Sequence, residues 1–194
     1  MNFLESFYNL FFHPLFLLRQ DRKPFTLSFF VSFLATFSLA LYFYNIPPSA
    51  YLFFSFFLFF YILFACFISS SIYHFLSESF KGKGNPGNLF NSFLLSLFPF
   101  CFLLPFNMLS QSLEFVELQE VIFLPILFWM IFLQIYSIKN NYGLEGGTAV
   151  FVYFIPLLAI IVIGVIFLFF SLVLLTLLLG KALPYFLNST PPLF

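Results

Sequence analysis

From Lys23 to Glu78 the chain carries no Asp, Glu, Lys or Arg, an uncharged run of 54 residues, 24–77. Nothing constrains the fold more. A charged side chain at the centre of a bilayer costs about 2.5–3.5 kcal/mol on insertion scales, so long uncharged stretches mark segments that live in hydrocarbon. One helical span needs about 20 apolar residues, so this run holds two spans and a turn. The turn is Asn45-Ile46-Pro47-Pro48-Ser49, where adjacent prolines end a helix.

The same reading divides the rest of the chain. Residues 84–113, 121–138 and 146–180 are uncharged over 30, 18 and 35 positions. The predicted spans are 25–44, 51–75, 88–109, 121–138 and 148–180. The last uncharged stretch is long: the 35 residues of 146–180 would reach about 50 Å as one helix at 1.5 Å per residue, against a hydrocarbon core of about 30 Å. It must tilt, kink near Pro156 or Gly164, or project beyond the bilayer. No polar turn divides it, which argues against a sixth span. The expected fold is all-α: a polytopic membrane bundle of five transmembrane helices, 24–194, preceded by an N-terminal segment, 1–23.

Composition agrees. Charged residues make up 7% of the chain and apolar ones 62%, whereas a soluble domain carries about 25% charged residues. A soluble monomer is excluded, and with 7 basic against 7 acidic residues so is a nucleic-acid-binding face. Phe occurs 38 times. Phe and Leu enter hydrocarbon about equally well, so this excess reads as codon bias rather than as a functional aromatic array.

Residues 1–23 have no basic side chain at their start and a Glu at position 5, unlike a secretory signal. They are expected to form an interfacial helix on the headgroups; the alternative is a helix packed over the mouth of the bundle. Arg19, Arg22, Lys23, Lys81, Lys83 and Lys139 fall in segments that share one side of a five-span protein, leaving only Lys181 opposite. The positive-inside rule then puts the N-terminus in the cytoplasm of an inner-membrane protein and the C-terminus outside. Glu114, Glu117 and Glu120 fall in the outer loop between spans three and four.

Polar side chains inside the spans are neutral: Ser69, Ser70, Ser71, Asn91, Ser92, Asn107 and Gln134, with His74 near the cytoplasmic end of span two. Helix-to-helix hydrogen bonding accounts for them at about 0.6 kcal/mol each. The sharper reading is an intramembrane polar groove lined by Asn91, Asn107 and Gln134. No buried ionisable group suggests ion-coupled transport. Cys66 and Cys101 lie in spans and are expected to be free thiols. His13 and His74 lack the neighbours a zinc site needs, and no nucleophile–base pattern or nucleotide-binding glycine motif appears. The chain reads as a non-enzyme with no cofactor.

Two glycine-bearing loops are the informative polar stretches, 80–88 and 139–149. Each leads into a span, and a helix start offers free amide N–H groups and partial positive charge. Asn88 and Thr148 are plausible helix-start residues. Lys81, Gly82, Lys83 and Gly84 in the first loop, and Tyr142, Gly143 and Gly147 in the second, are the candidate contacts for a protein partner or a lipid headgroup. Plain turn chemistry is the competing account, since glycine supplies positive φ where a chain reverses.

Four features together resemble the Yip family of Ypt/Rab-interacting membrane proteins, and more closely its bacterial branch. Phe11-Phe12-His13-Pro14 resembles an aromatic-then-proline run near the start. Gly82-Lys83-Gly84 resembles a glycine–lysine–glycine loop after span two. Pro99 falls where members often have a proline in span three. Tyr142-Gly143-Leu144-Glu145-Gly146-Gly147-Thr148-Ala149 resembles the stretch that opens span five, with Glu145, Gly146 and Thr148 departing from the pattern. The resemblance implies a five-span non-enzymatic membrane protein. GTPase binding is not implied, because the long cytoplasmic tail that carries it in eukaryotic members is only about 23 residues here.

Two functions follow as expectations. One is a membrane scaffold or adaptor working through its cytoplasmic loops, with membrane lipids, a protein partner or a second copy as contacts and no nucleic acid. The other is a lipid- or small-molecule-handling protein such as a scramblase or uncoupled permease. An intramembrane enzyme would need an activated nucleophile or a metal, and no residues supply one.

Overall fold

The computed structural model describes residues 3–20, 23–42, 48–112 and 117–189; side chains are described for these except 3, 48, 49, 111, 117–120 and 178–189. The helices run α1 (Phe3–Phe12), α2 (Pro14–Arg19), α3 (Phe25–Tyr42), α4 (Pro48–Ser79), α5 (Pro86–Ser96), a 3-10 helix (Phe98–Phe102), α6 (Leu103–Ser112), α7 (Glu117–Tyr142) and α8 (Gly146–Ser189). No strand occurs among the described residues. Five segments are long and apolar enough to cross a membrane: Phe25–Tyr42, Ala50–Ser79, Pro86–Ser110, Val121–Tyr142 and Gly146–Leu177. The protein is an all-α polytopic helical bundle. The centre of the Asn45–Ser49 turn lies outside the described residues, as do Asp21, Arg22 and Glu114.

Contacts divide the chain into two units, Met1–Tyr153 and Phe154–Phe194. In the first, helices pack without the usual hydrophobic drive, because lipid tails are as apolar as Leu; close van der Waals fit through small residues takes its place. The buried face of α3 shows this, with Ser28, Ser32, Ala35, Thr36 and Ala40 interleaved with Leu27 and Val31. Three hydroxyls on that face bond backbone carbonyls one turn back: Ser28 donates to Pro24 O, Ser32 to Phe29 O and Thr36 to Phe33 O. Small side chains therefore admit a neighbour closely while these three hydroxyls stay paired. α5 and the 3-10 helix fill that approach with Leu89, Phe93, Leu94 and Phe98, all nearly inaccessible.

Span three is composite. α5 ends at Ser96, and the chain turns through the 3-10 helix around Pro99 before α6 resumes. Proline lacks the N–H that an α-helix would use there. The tighter turn puts Phe98 and Phe102 against the Trp129 ring of α7.

The N-terminal residues form two helices broken at His13-Pro14 and packed on the flank of the bundle. Leu10, Leu17 and Leu18 are buried in one cluster with Leu27, Val31, Leu95, Phe98 and Leu133. The Phe11 ring meets Phe98 edge-on at 4.7 Å and Phe102 at 6.1 Å. The outward face, with Leu4, Tyr8, Phe12 and Phe16, is exposed and apolar, as a segment in contact with lipid requires.

The second unit continues α8, which runs unbroken through Pro156 and Gly164. Its 44 residues amount to about 66 Å of helix at 1.5 Å per residue. Every side chain from 157 to 177 is exposed, and of these only Gly164, Ser171 and Thr176 are not hydrophobic. Ser171 and Thr176 bond back to Phe167 O and Val173 O, so this surface offers lipid no unsatisfied hydroxyl.

Candidate functional site at the loop end of the bundle

Both glycine loops begin as helix C-caps of one type. At the end of α4, Lys81 has φ 65°, with Lys81 N–H bonding Glu78 O at 2.9 Å and Gly82 N–H bonding Ser77 O at 2.9 Å. At the end of α7, Gly143 has φ 65°, and Leu144 N–H bonds Lys139 O at 3.1 Å. These are Schellman caps, which close the orphan carbonyls of a helix through one left-handed residue. Glycine holds that position at no steric cost, whereas lysine holds it at some strain. Lys81 is thus a cap residue, with its side chain on the exposed surface.

The two loops meet. Lys83 N–H donates to Tyr142 O at 3.2 Å, and Asn141 Nδ2 donates to Asn85 O at 2.9 Å. The approach needs glycine. A Cβ at Gly82 would lie 2.9 Å from both Ser77 O and Tyr142 Cβ, and one at Gly84 would lie 2.5 Å from Asn141 O. Tyr142 is buried beneath them and shares a 2.8 Å hydrogen bond with His74 Nδ1; His74 Nε2 lies 3.6 Å from Glu78 Oε1. The i, i+4 spacing of His74 and Glu78 is visible in the sequence; their link to Tyr142 is not.

Several expectations are corrected. The N-cap of α5 is Asn85, not Asn88: Asn85 Oδ1 accepts from Gly87 N–H at 2.8 Å and Asn88 N–H at 3.4 Å, and Pro86 takes the first helical position, where its missing N–H is harmless. α8 begins at Gly146, with Ala149 N–H bonding Glu145 O, so Thr148 lies inside its first turn. Gly143 and Gly147 have open space where a Cβ would be; Gly143 is needed for its φ, and neither makes a close approach.

A recess of about 400 Å³ opens beside the joined loops. It is lined by Leu18, Arg19, Gln20 and Lys23 from the N-terminal segment, Lys83, Gly84, Asn85 and Asn88 from the first loop, and Asn140 and Asn141 from α7. The sequence placed Arg19 and Lys23 on this side of the bundle but gave no sign that they meet Lys83. Lys81 is not part of the wall.

The three residues do not share one wall: Asn107 packs against α3, whereas Gln134 lines a cavity with Tyr73 and Tyr153. Asn107 is buried and donates to Leu41 O at 3.5 Å. Asn91 lies on α5 with its Oδ1 buried and unpaired among the described residues. Gln134 lines a cavity of about 340 Å³, in company with Cys66, Ser69, Tyr73, Phe93 and Tyr153 and without Asn91 or Asn107. There Tyr153 Oη donates to Gln134 Oε1 at 2.7 Å, Tyr73 Oη donates to Tyr153 O at 3.1 Å, and the two tyrosine rings stack at 5.5 Å. Ser70, Ser71 and Ser92, in contrast, bond within their own helices, to Phe67 O, Phe67 O and Asn88 O. Cys66 and Cys101 are free thiols. Among the described residues no three or more His, Cys, Asp or Glu gather. Comparison of this multi-pass bundle with known proteins returns no matching family model, no matching curated protein and no matching solved structure.

Proposed function

We propose that this is a non-enzymatic membrane scaffold or adaptor of the Yip-like type, acting from the face where its glycine loops join. The observation that carries this reading is the fusion of two loops, nearly sixty positions apart, into one polar platform through Lys83–Tyr142 and Asn141–Asn85 hydrogen bonds. A docking surface needs a fixed backbone with adaptable side chains on it. Here the carbonyls are capped and the glycines packed, while the Lys81, Lys83, Lys139 and Glu145 side chains remain exposed. The positive-inside rule makes this the cytoplasmic face. Photo-crosslinking in cells from residues 81 and 145 tests the reading. Discrete adducts with a protein partner or a second copy support it; adducts no stronger than those from a lipid-facing control at residue 160 defeat it.

A second reading is favoured by the cavity holding Tyr73, Gln134 and Tyr153, which gives a lipid- or small-molecule-handling protein a polar foothold at membrane depth. Flux of labelled lipid in proteoliposomes, wild type against Gln134→Ala, tests it. Equal flux from protein-free vesicles removes it.

A further inference from the structure

We propose that the recess walled by the N-terminal segment and the two joined loops binds a phosphate-bearing anion through Arg19, Lys23 and Lys83. These three cations come from two segments some sixty residues apart and line one hollow. No carboxylate lines it among the described residues. An anion in a hollow lined by several cations is attracted by each of them. Lys23 is only 9% exposed, and lysine is seldom so buried.

The neutral part of the wall suits the same ligand. Asn140 lines the recess, and its Nδ2, a donor, is buried with no partner among the described residues. The first turn of α5 also faces the recess through Asn85 and Asn88. Its Gly87 and Asn88 amides are occupied by Asn85 Oδ1, so that helix adds the positive end of its dipole. Charge-assisted side-chain hydrogen bonds would hold the anion, with the planar Arg19 guanidinium as the bidentate partner. At about 400 Å³ the recess falls in the range of small-ligand sites, room for a phosphate with a further small group attached. That group can be a lipid headgroup or a soluble phosphate ester. The inference goes beyond the adaptor reading and does not depend on it: silent crosslinks would leave the recess as it is.

The test uses the full chain purified in a non-ionic detergent. Two probes are titrated, with melting midpoint and affinity as readouts: sodium phosphate against sodium chloride at equal ionic strength, and short-chain phosphatidic acid against short-chain phosphatidylcholine. Wild type is expected to bind a phosphate-bearing probe, with the Arg19→Gln/Lys83→Gln pair losing about tenfold or more in affinity. Glu5→Gln, an exposed charge on α1 outside the recess, stays within about twofold, the small effect expected of an exposed charge. Binding of phosphate alone identifies a soluble source; binding of phosphatidic acid alone identifies a headgroup. Should the pair fail to fold, Lys83→Gln alone is read, with Lys83→Arg expected to retain binding. The proposal is overturned if neither probe binds, if the Arg19 and Lys83 variants bind like wild type, or if Glu5→Gln loses as much as they do.

Discussion

Gly84 lies so close to Tyr142 that a Cβ on it would sit 2.6 Å from Cδ1 of the tyrosine ring. That contact joins the loop after α4 to the end of α7, and it leads to the first prediction. Gly84→Ala must push the ring or the Asn141 carbonyl aside, at a cost of about 1–3 kcal/mol of overpacking. Gly147→Ala, in open space within the first turn of α8, should be neutral or stabilising by up to about 1 kcal/mol. Reversible unfolding in mixed micelles separates the two; equal stability of both variants would refute the close approach.

The paired C-caps predict opposite effects at equivalent positions. Lys81 and Gly143 both have φ 65°. Lys81→Gly should relieve left-handed strain and raise stability by about 0.5–1 kcal/mol, and Gly143→Ala should lower it by about 1 kcal/mol. The same unfolding assay reads both, and loss of stability in Lys81→Gly would speak against the cap geometry.

Asn85 and Asn88 lie three positions apart at the start of α5, but only Asn85 caps it. Asn85→Ala is expected to cost about 1 kcal/mol, and Asn85→Asp to keep most of that. Asn88→Ala should cost less. The ranking is read from melting midpoints, and a larger loss at position 88 would reassign the cap.

Within the spans, the bond from Tyr153 Oη to Gln134 Oε1 is a polar link between α7 and α8. A double-mutant cycle of Tyr153→Phe with Gln134→Ala should give a coupling of about 0.6 kcal/mol and no more than about 1.7. Zero coupling would mean that the two side chains act independently.

Ser32, in contrast, bonds only within its own helix on a face where close packing matters. Ser32→Ala should lie within about 0.5 kcal/mol of wild type, and Ser32→Leu should cost about 1–3 kcal/mol. Tolerance of leucine would show that α3 is not approached closely on that side.

What the sequence by itself determined is the division into membrane-crossing segments and the set of loops that share an end. The 54-residue uncharged run after Lys23 carries that information because the cost of a charge in hydrocarbon is paid locally, whatever the neighbours do. Proline signals are only partly local: the chain breaks at Pro14 and Pro99, but Pro125 and Pro156 sit inside continuous helices. Only the tertiary structure decided which polar groups meet. Asn91, Asn107 and Gln134 read as a set along the chain, but Asn107 turns to α3 and Gln134 to Tyr153 of α8, and those helix rotations are set by packing between small faces such as that of α3. The convergence of Arg19 and Lys23 on Lys83 arises in the same way: the buried leucines of α1 and α2 dock against the bundle flank, and no local rule records where that docking leaves the charges that follow.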